Sequence, residues 1–295
     1  ARAEERSFPG SEENEGQAQA ALSERLSAAL PEDLFRREII FRDLTFSYVR
    51  RKPVLRHLNL TIAPGTTTAL VGAIGAGKTT LVSLLLKLYT PDSGAVCFGD
   101  REIGGIPTAA LRRHCAMAMQ EPRLVEGTLA QNILYGREDA DPEALNRALH
   151  AAKLEELVAH LPWGLQTELT QTTDLVTEGE KQLICLARAF AADPEVLILD
   201  EATSSVDPYT EKQITEIIRD LARGRTTIII AHRVSTIQSC DHILVLQDGA
   251  MAESGDHASL MALHGVYRAI WEKQQLEKQL QSHPEADSTE GGDQA

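Results

Sequence analysis

Gly72, Gly77, Lys78 and Thr79 stand at the spacing G-x-x-x-x-G-K-[ST] in VGAIGAGKTTLVSLLLKL, directly after the strand-like TTTALV of residues 66–71. A glycine-rich turn lets successive backbone N–H groups point into one concavity. The helix that follows adds the positive end of its dipole, so such a turn can cradle a phosphate chain. On this reading the backbone of Gly72, Gly75, Ala76 and Gly77 curls round the phosphates and Thr80 joins the nucleotide contacts. Lys78 reaches the β- and γ-phosphates and Thr79 offers its hydroxyl to Mg²⁺. The competing reading, a strand-to-helix turn with an incidental lysine, is disfavoured by the apolar strand before it and the apolar helix after it.

Two more strand ends carry chemistry. VLILDEATSSVD, residues 196–207, is a continuous apolar run ending in Asp200 and Glu201, as a parallel strand buried on both faces should be. Alone, such an acidic pair reads as a helix cap. Beside a phosphate loop, Asp200 would enter the Mg²⁺ shell and Glu201 would orient or deprotonate an attacking water. TTIIIAH, residues 226–232, ends in His232. A strand-end histidine is commonly structural, but delivered to the same sheet edge it can donate to a γ-phosphate, because ligands of open α/β sheets lie at strand carboxyl ends.

A fourth stretch, VTEGEKQ at 176–182, opens the helical run LICLARAF with Gly179 between Glu178 and Glu180. Free N–H groups and the dipole make carboxylates ordinary caps there, and the same features suit an anionic ligand.

These stretches need a fold to bring them together. The chain of 295 residues, 43% hydrophobic and poor in aromatics, can bury the core of one or two domains with an aliphatic α/β interior. Apolar alternation at Ile40, Leu44, Phe46 and Tyr48 marks half-buried strands. The expectation is an α/β core with a largely parallel sheet around the glycine-rich turn, an antiparallel β-subdomain over about 38–70 and 94–100, and an α-helical subdomain over about 123–190. Residues 1–37 read as an acidic linker or docking segment, with an amphipathic patch near Ala21–Leu30 ended by Pro31. Residues 38–275 form the domain. HGVYRAIWEKQQLEKQL reads as a helix with Val266, Ile270 and Trp271 partly buried, and 276–295 as its exposed end and an acidic tail.

The formal charge of -14 and the lack of a Lys/Arg cluster argue against general nucleic-acid binding, which needs phosphates neutralised. Cys97, Cys115, Cys185 and Cys240 are far apart and lie mostly in apolar runs, so they read as buried reduced thiols. No apolar run approaches the ~20 residues of a membrane span. The chain reads as soluble, and its start at Ala1 as a processed or truncated piece.

With these residues assembled, the chain resembles the nucleotide-binding domain of an ATP-binding cassette (ABC) transporter of the exporter type, over about residues 38–275. The resemblance implies a P-loop NTPase (RecA-like) core and further roles. FSY, residues 46–48, is similar to the aromatic loop, which would stack Tyr48 on adenine. AMAMQEP, residues 116–122, resembles the Q-loop, placing Gln120 at the Mg²⁺ and γ-phosphate and its neighbours against a transmembrane partner. SSVD resembles the D-loop, with Asp207 at a dimer contact. VTEGE falls where the family has LSGGQ, the signature that closes over ATP held by a second cassette, which makes Thr177 and Gly179 nucleotide contacts.

Here the sequence departs from the family pattern. Thr177 keeps a hydroxyl and Gly179 a close backbone approach, but Glu178 replaces glycine and Glu180 replaces glutamine. At ~6 Å and an effective dielectric near 20, like charges cost roughly 2–3 kcal/mol before screening, about tenfold or more in binding. TELTQTTDL, residues 167–175, also lacks the usual G-E-R-G loop. An intact catalytic set beside an altered signature points to an asymmetric pair. This chain would supply Lys78, Thr79, Gln120, Asp200, Glu201 and His232 to a hydrolysing site, and VTEGE to a degenerate one.

The function expected is therefore the Mg-dependent ATPase motor of an exporter, at the cytoplasmic face of a membrane. ATP and Mg²⁺ are its cofactors, and a second, non-identical cassette and a transmembrane domain its partners. The alternatives are an ATP-gated dimerisation or regulatory module with little hydrolysis, favoured only by VTEGE, and a soluble ABC ATPase acting on nucleic acid.

Overall fold

A computed structural model describes residues 30–119, 121–137, 142–200, 208–231 and 234–282. Two alternating strands, β1 (Ile39–Phe46) and β2 (Leu55–Ile62), pair antiparallel and turn Ile39, Phe41, Leu44 and Phe46 inward. Next come β3 (Thr67–Val71), α1 (Lys78–Leu85), β4 (Ser93–Phe98), β5 (Arg101–Glu102), α2 (Thr108–His114) and β6 (Cys115–Ala118). The helical portion holds β7 (Gly127–Thr128), α3 (Leu129–Ile133), α4 (Pro142–Ala151), α5 (Glu155–His160), β8 (Glu168–Leu169) and α6 (Glu178–Ala192). The chain returns to the core through β9 (Val196–Asp200), α7 (Pro208–Ala222), β10 (Thr226–Ile230), α8 (Val234–Gln238), β11 (His242–Gln247) and β12 (Ala250–Gly255), and finishes with α9 (His257–Leu263) and α10 (Val266–Ser282).

One sheet is antiparallel with order β2-β1-β4-β5. The other has six strands, β12-β11-β3-β10-β9-β6, all parallel except the edge strand β12. The antiparallel layer expected to run to about residue 70 stops at Ile62. Thr67–Val71 belongs to the parallel sheet, where it lies between β10 and β11. The physical reason is that this strand is covered on both faces and so needs apolar residues at successive positions, Ala69, Leu70 and Val71, rather than alternating ones.

Strand pleating divides those residues between two cores. Leu70, Ile198, Ile228, Ile230, Leu244 and Leu246 face Leu81, Leu84 and Leu85 of α1 and, beyond them, the antiparallel sheet. Ala69, Val71, Leu197, Leu199, Ile229 and Val245 face the opposite side, where α6, α7 and the helical portion pack. Helix α1 is thus buried between two sheets, which fixes the turn at its start. The first core reaches back to Leu34 and Phe35, ahead of the strand pattern that begins at Glu38. The expected patch near Ala21–Leu30 lies, up to residue 29, outside the described residues, as does the tail from residue 283.

Inside the helical portion a fully buried Asn132 holds an irregular segment in place. Its Oδ1 accepts from Val125 N at 2.9 Å and its Nδ2 donates to Val125 O at 3.0 Å, as a neighbouring strand would. Arg188 of α6 adds bonds to Asn132 O at 2.9 Å and Arg123 O at 3.2 Å. Buried polar groups satisfied this completely fix one geometry for residues 123–128. The last helix is anchored by Glu253, whose carboxylate accepts from Val266 N and Tyr267 N, and by the buried Tyr267, paired with His257 Nδ1 at 2.7 Å. All four cysteines are free; Cys97, Cys115 and Cys240 are buried and Cys185 is half-buried. Burial pushes every one of these thiols up, Cys240 to about 12. Among the described residues no helix is long and apolar enough to cross a membrane.

Candidate nucleotide site

The parallel register brings the carboxyl ends of the central strands into line. Leu70 of β3 faces Ile230 of β10, Ile230 faces Asp200 of β9, and Leu199 faces Ala118 of β6. The glycine-rich turn leaves this edge directly after β3 and enters α1 at Gly77, which occupies the N-cap in the left-handed region at φ +101°. The dihedral calls for glycine here, and a methyl group at Gly77 would lie 2.5 Å from Leu55 Cδ2, so that side chain would have to shift. At Gly72 the obstacle is backbone: a Cβ would come within 2.4 Å of Leu246 O. Gly72→Ala is expected to destabilise the chain by about 1–3 kcal/mol through overpacking, read as a lowered denaturation midpoint of the ligand-free protein. A wild-type midpoint would show that the turn can give way there.

The turn wraps the lysine. Lys78 is only 6% exposed, and its ammonium donates to Gly72 O at 2.7 Å and Ala73 O at 3.1 Å. Ala76 is buried and its N–H donates to Ala73 O at 3.1 Å, which closes the turn. Gly75 and Thr79 are exposed at its mouth, and a Cβ at Gly75 would meet nothing within 4 Å. Thr80 turns inward, where its Oγ1 lies 3.2 Å from Tyr48 Oη. Tyr48 is half exposed and makes T-shaped contacts with Phe46 and Tyr89, with ring centroids at 4.9 and 5.1 Å. A half-exposed aromatic ring beside the glycine-rich turn suits the stacking of a base.

The structure therefore brings together Tyr48, Gly72, Gly75, Ala76, Gly77, Lys78, Thr79 and Thr80, with Asp200, half-buried, at the end of a strand on the same edge. Gln120, Glu201, Asp207 and His232 lie outside the described residues. Thr177 and Gly179 belong to a different element: Thr177 is the N-cap of α6 and Gly179 is buried in its first turn. Among the described residues no group of three or more His, Cys, Asp and Glu is arranged to hold a metal. One hydroxyl and one carboxylate fit Mg²⁺ nonetheless, because that ion binds through one or two protein ligands plus phosphate oxygens and water.

At α6 the two carboxylates are engaged with their own chain. Glu180 accepts from Thr177 N at 2.7 Å and Thr177 Oγ1 at 2.9 Å, while Thr177 Oγ1 accepts from Glu180 N at 3.2 Å, a full capping box. Glu178 pairs with Lys181 at 2.6 Å. No motif marks Lys181, and its i,i+3 spacing from Glu178 is the sequence signal for the pair. No motif marks Gln171 either, yet it binds the segment after residue 120: its Oε1 accepts from Leu124 N at 2.8 Å and its Nε2 donates to Pro122 O at 3.2 Å.

Residues 55–204, just over half of the chain, match the family model of the ABC transporter. The chain belongs to the ABC transporter family. This ABC domain is 47% identical over 227 residues to the "Fatty acid ABC transporter ATP-binding/permease protein" of Mycobacterium tuberculosis, covering 77% of this chain and 36% of the relative. It is 36% identical over 241 residues to the "Iron-sulfur clusters transporter atm1, mitochondrial" of Aspergillus fumigatus, covering 81% and 33%. Among solved structures it superposes on a bacterial Atm1-family ABC exporter with ATP bound at a TM-score of 0.74 and 36% identity, covering 80% of this chain and 42% of that one. The chain thus spans between a third and two-fifths of the length of these curated relatives. The fold is that of a mixed α/β ABC ATPase domain with a P-loop core, and the chain is homologous to ABC exporters.

Proposed function

We propose that this ABC domain is the ATP-binding and hydrolysing motor of an exporter, working as one half of a dimer at the cytoplasmic face of a membrane. The observation that carries the reading is the Lys78 ammonium held inside the Gly72–Gly77 turn, on the strand edge shared with Asp200. Incoming β- and γ-phosphate oxygens exchange for the loop carbonyls as partners of Lys78, and the turn's N–H groups and the α1 dipole meet the remaining charge. Tyr48 stacks on the adenine. Thr79, Gln120 and Asp200 hold Mg²⁺, which when bound neutralises charge on the phosphates. Glu201 orients the attacking water and accepts its proton, and His232 donates to the γ-phosphate.

Tyr48→Ala is expected to weaken ATP binding by about tenfold, since stacking of a base on an aromatic ring is worth roughly 1–3 kcal/mol. Titration with ATP and with inorganic triphosphate separates base stacking from phosphate contact: the triphosphate, which has no base, should bind both proteins equally.

Residues 38–275 serve as the cassette and 1–37 as the approach to transmembrane helices, which the segment after Gln120 contacts. The other cassette of the dimer is non-identical, with Asp207 at the contact between the two. Its signature completes the site built on Lys78, while Thr177 and Gly179 complete a second site that holds ATP and turns it over poorly. A module that dimerises on ATP with little hydrolysis is the second reading, favoured by Glu178 and Glu180 at α6. ATP turnover of the chain alone and mixed with candidate partner cassettes decides between them. Robust turnover by the chain alone removes the asymmetry, and absence of turnover in every mixture favours the second reading.

A further inference from the structure

The first turn of α6 carries two acidic side chains, yet only one of them points away from its own cap. Glu180 is folded back onto Thr177 N and Oγ1. Glu178 is 57% exposed and lies 2.6 Å from the ammonium of Lys181. Lys181 itself is 8% exposed at its side chain. Its second bond runs to Gln171 O at 3.4 Å, and Gln171 in turn grips Pro122 O and Leu124 N through its side-chain amide. A cation withdrawn from water requires partners, so the ammonium is committed to this position whether or not a ligand is present. Paired at this distance, Glu178 and Lys181 present a dipole outward instead of a net charge.

We propose that Lys181 is a positioning residue that cancels the charge of Glu178, keeping the first turn of α6 able to face the anionic nucleotide of a second cassette, and that through Gln171 it ties this turn to residues 122–124. This deepens the dimer reading above and rests on it. An uncompensated carboxylate facing the phosphates weakens closure by about tenfold or more. The pair removes most of that loss while leaving Thr177 and Gly179 in place.

The test is a double-mutant cycle on the 295-residue chain carrying Glu201→Gln to slow turnover, with Mg-ATP-dependent self-association followed by sedimentation velocity. Lys181→Met keeps the aliphatic stem and is expected to weaken association by about tenfold or more. Glu178→Gln in the same chain should restore most of the loss, a rescue that a purely structural role for Lys181 would not give. Binding of a fluorescent ATP analogue to the dissociated chain should stay unchanged, showing that the fold and the phosphate turn survive. Equal weakening in both Glu178 backgrounds, or none in either, overturns charge compensation. Failure of every form to self-associate while each still binds the analogue overturns this inference and leaves the pairing with a non-identical cassette, which turnover in mixtures reads, standing. The tether has its own readout: Lys181→Met should speed hydrogen exchange at the Leu124 amide, and unchanged exchange removes that part of the proposal.

Discussion

Replacing Lys78 by alanine is expected to lower Mg-ATP retention by about 10²-fold or more. The ammonium sits in the turn within 2.7–3.1 Å of two carbonyl oxygens, and it is 6% exposed, so little water competes for its donors. On the proposed function those donors turn to phosphate oxygens when nucleotide binds, and hydrogen bonds to charged groups contribute roughly 1.5–3 kcal/mol each. Two such bonds correspond to about two to four orders of magnitude in affinity. The substitution also strips Gly72 O and Ala73 O of a partner in the ligand-free chain. The denaturation midpoint must therefore be measured alongside: a small drop with a large loss of retention assigns the effect to phosphate contact, whereas collapse of the fold assigns it to the turn's own stability. Equilibrium dialysis against labelled ATP reads the retention directly. Retention at the wild-type level would remove the nucleotide site from this turn, and the motor reading with it.

The phosphate turn was legible because its requirements are local. Glycines where a chain must reverse close to other backbone, and a lysine at the first helical position, are dictated within eight residues of sequence. VLILD was legible for a related reason, since a strand covered on both faces has no polar side to show. The boundary between the two sheets was not. Thr67–Val71 is short and apolar, and only its pairing with β10 and β11, across more than 150 residues of chain, places it in the parallel sheet. The burial of Leu34 and Phe35 was likewise hidden by their acidic, polar surroundings.

At α6 the sequence supported two readings of the same residues, cap and ligand contact, and the geometry shows the first. Thr177 and Glu180 form the cap, and the ligand contact belongs to the function proposed above. Glu178 and Glu180 are not free charges there. Their engagement with Lys181 and Thr177 follows from side-chain direction on a helix, which spacing alone could have suggested. Gln171 was out of reach: it acts on residues 47 and 49 positions away, and no local pattern marks an amide that will find a backbone partner at such separation.

Glu201→Gln is expected to reduce ATP turnover by about 10²–10⁴-fold, the range over which a positioned general base contributes, while Mg-ATP retention stays near wild type. The residue follows Asp200, whose strand is set by register on both sides: Val196–Asp200 pairs in parallel with β10 and Val196–Leu199 with β6, and Val196–Leu199 are all buried. Glutamine preserves volume and one hydrogen-bond acceptor at that strand end but removes the charge that draws a proton from water. Binding and chemistry should therefore separate, and the ATP-loaded pair should accumulate. The distribution of the loss then bears on asymmetry. In a mixture with a partner cassette, Glu201→Gln in this chain alone should remove nearly all turnover if the site built on Lys78 is the hydrolysing one. A loss of only about half points instead to two equivalent sites, and turnover unchanged from wild type means that the proton leaves the attacking water by another route.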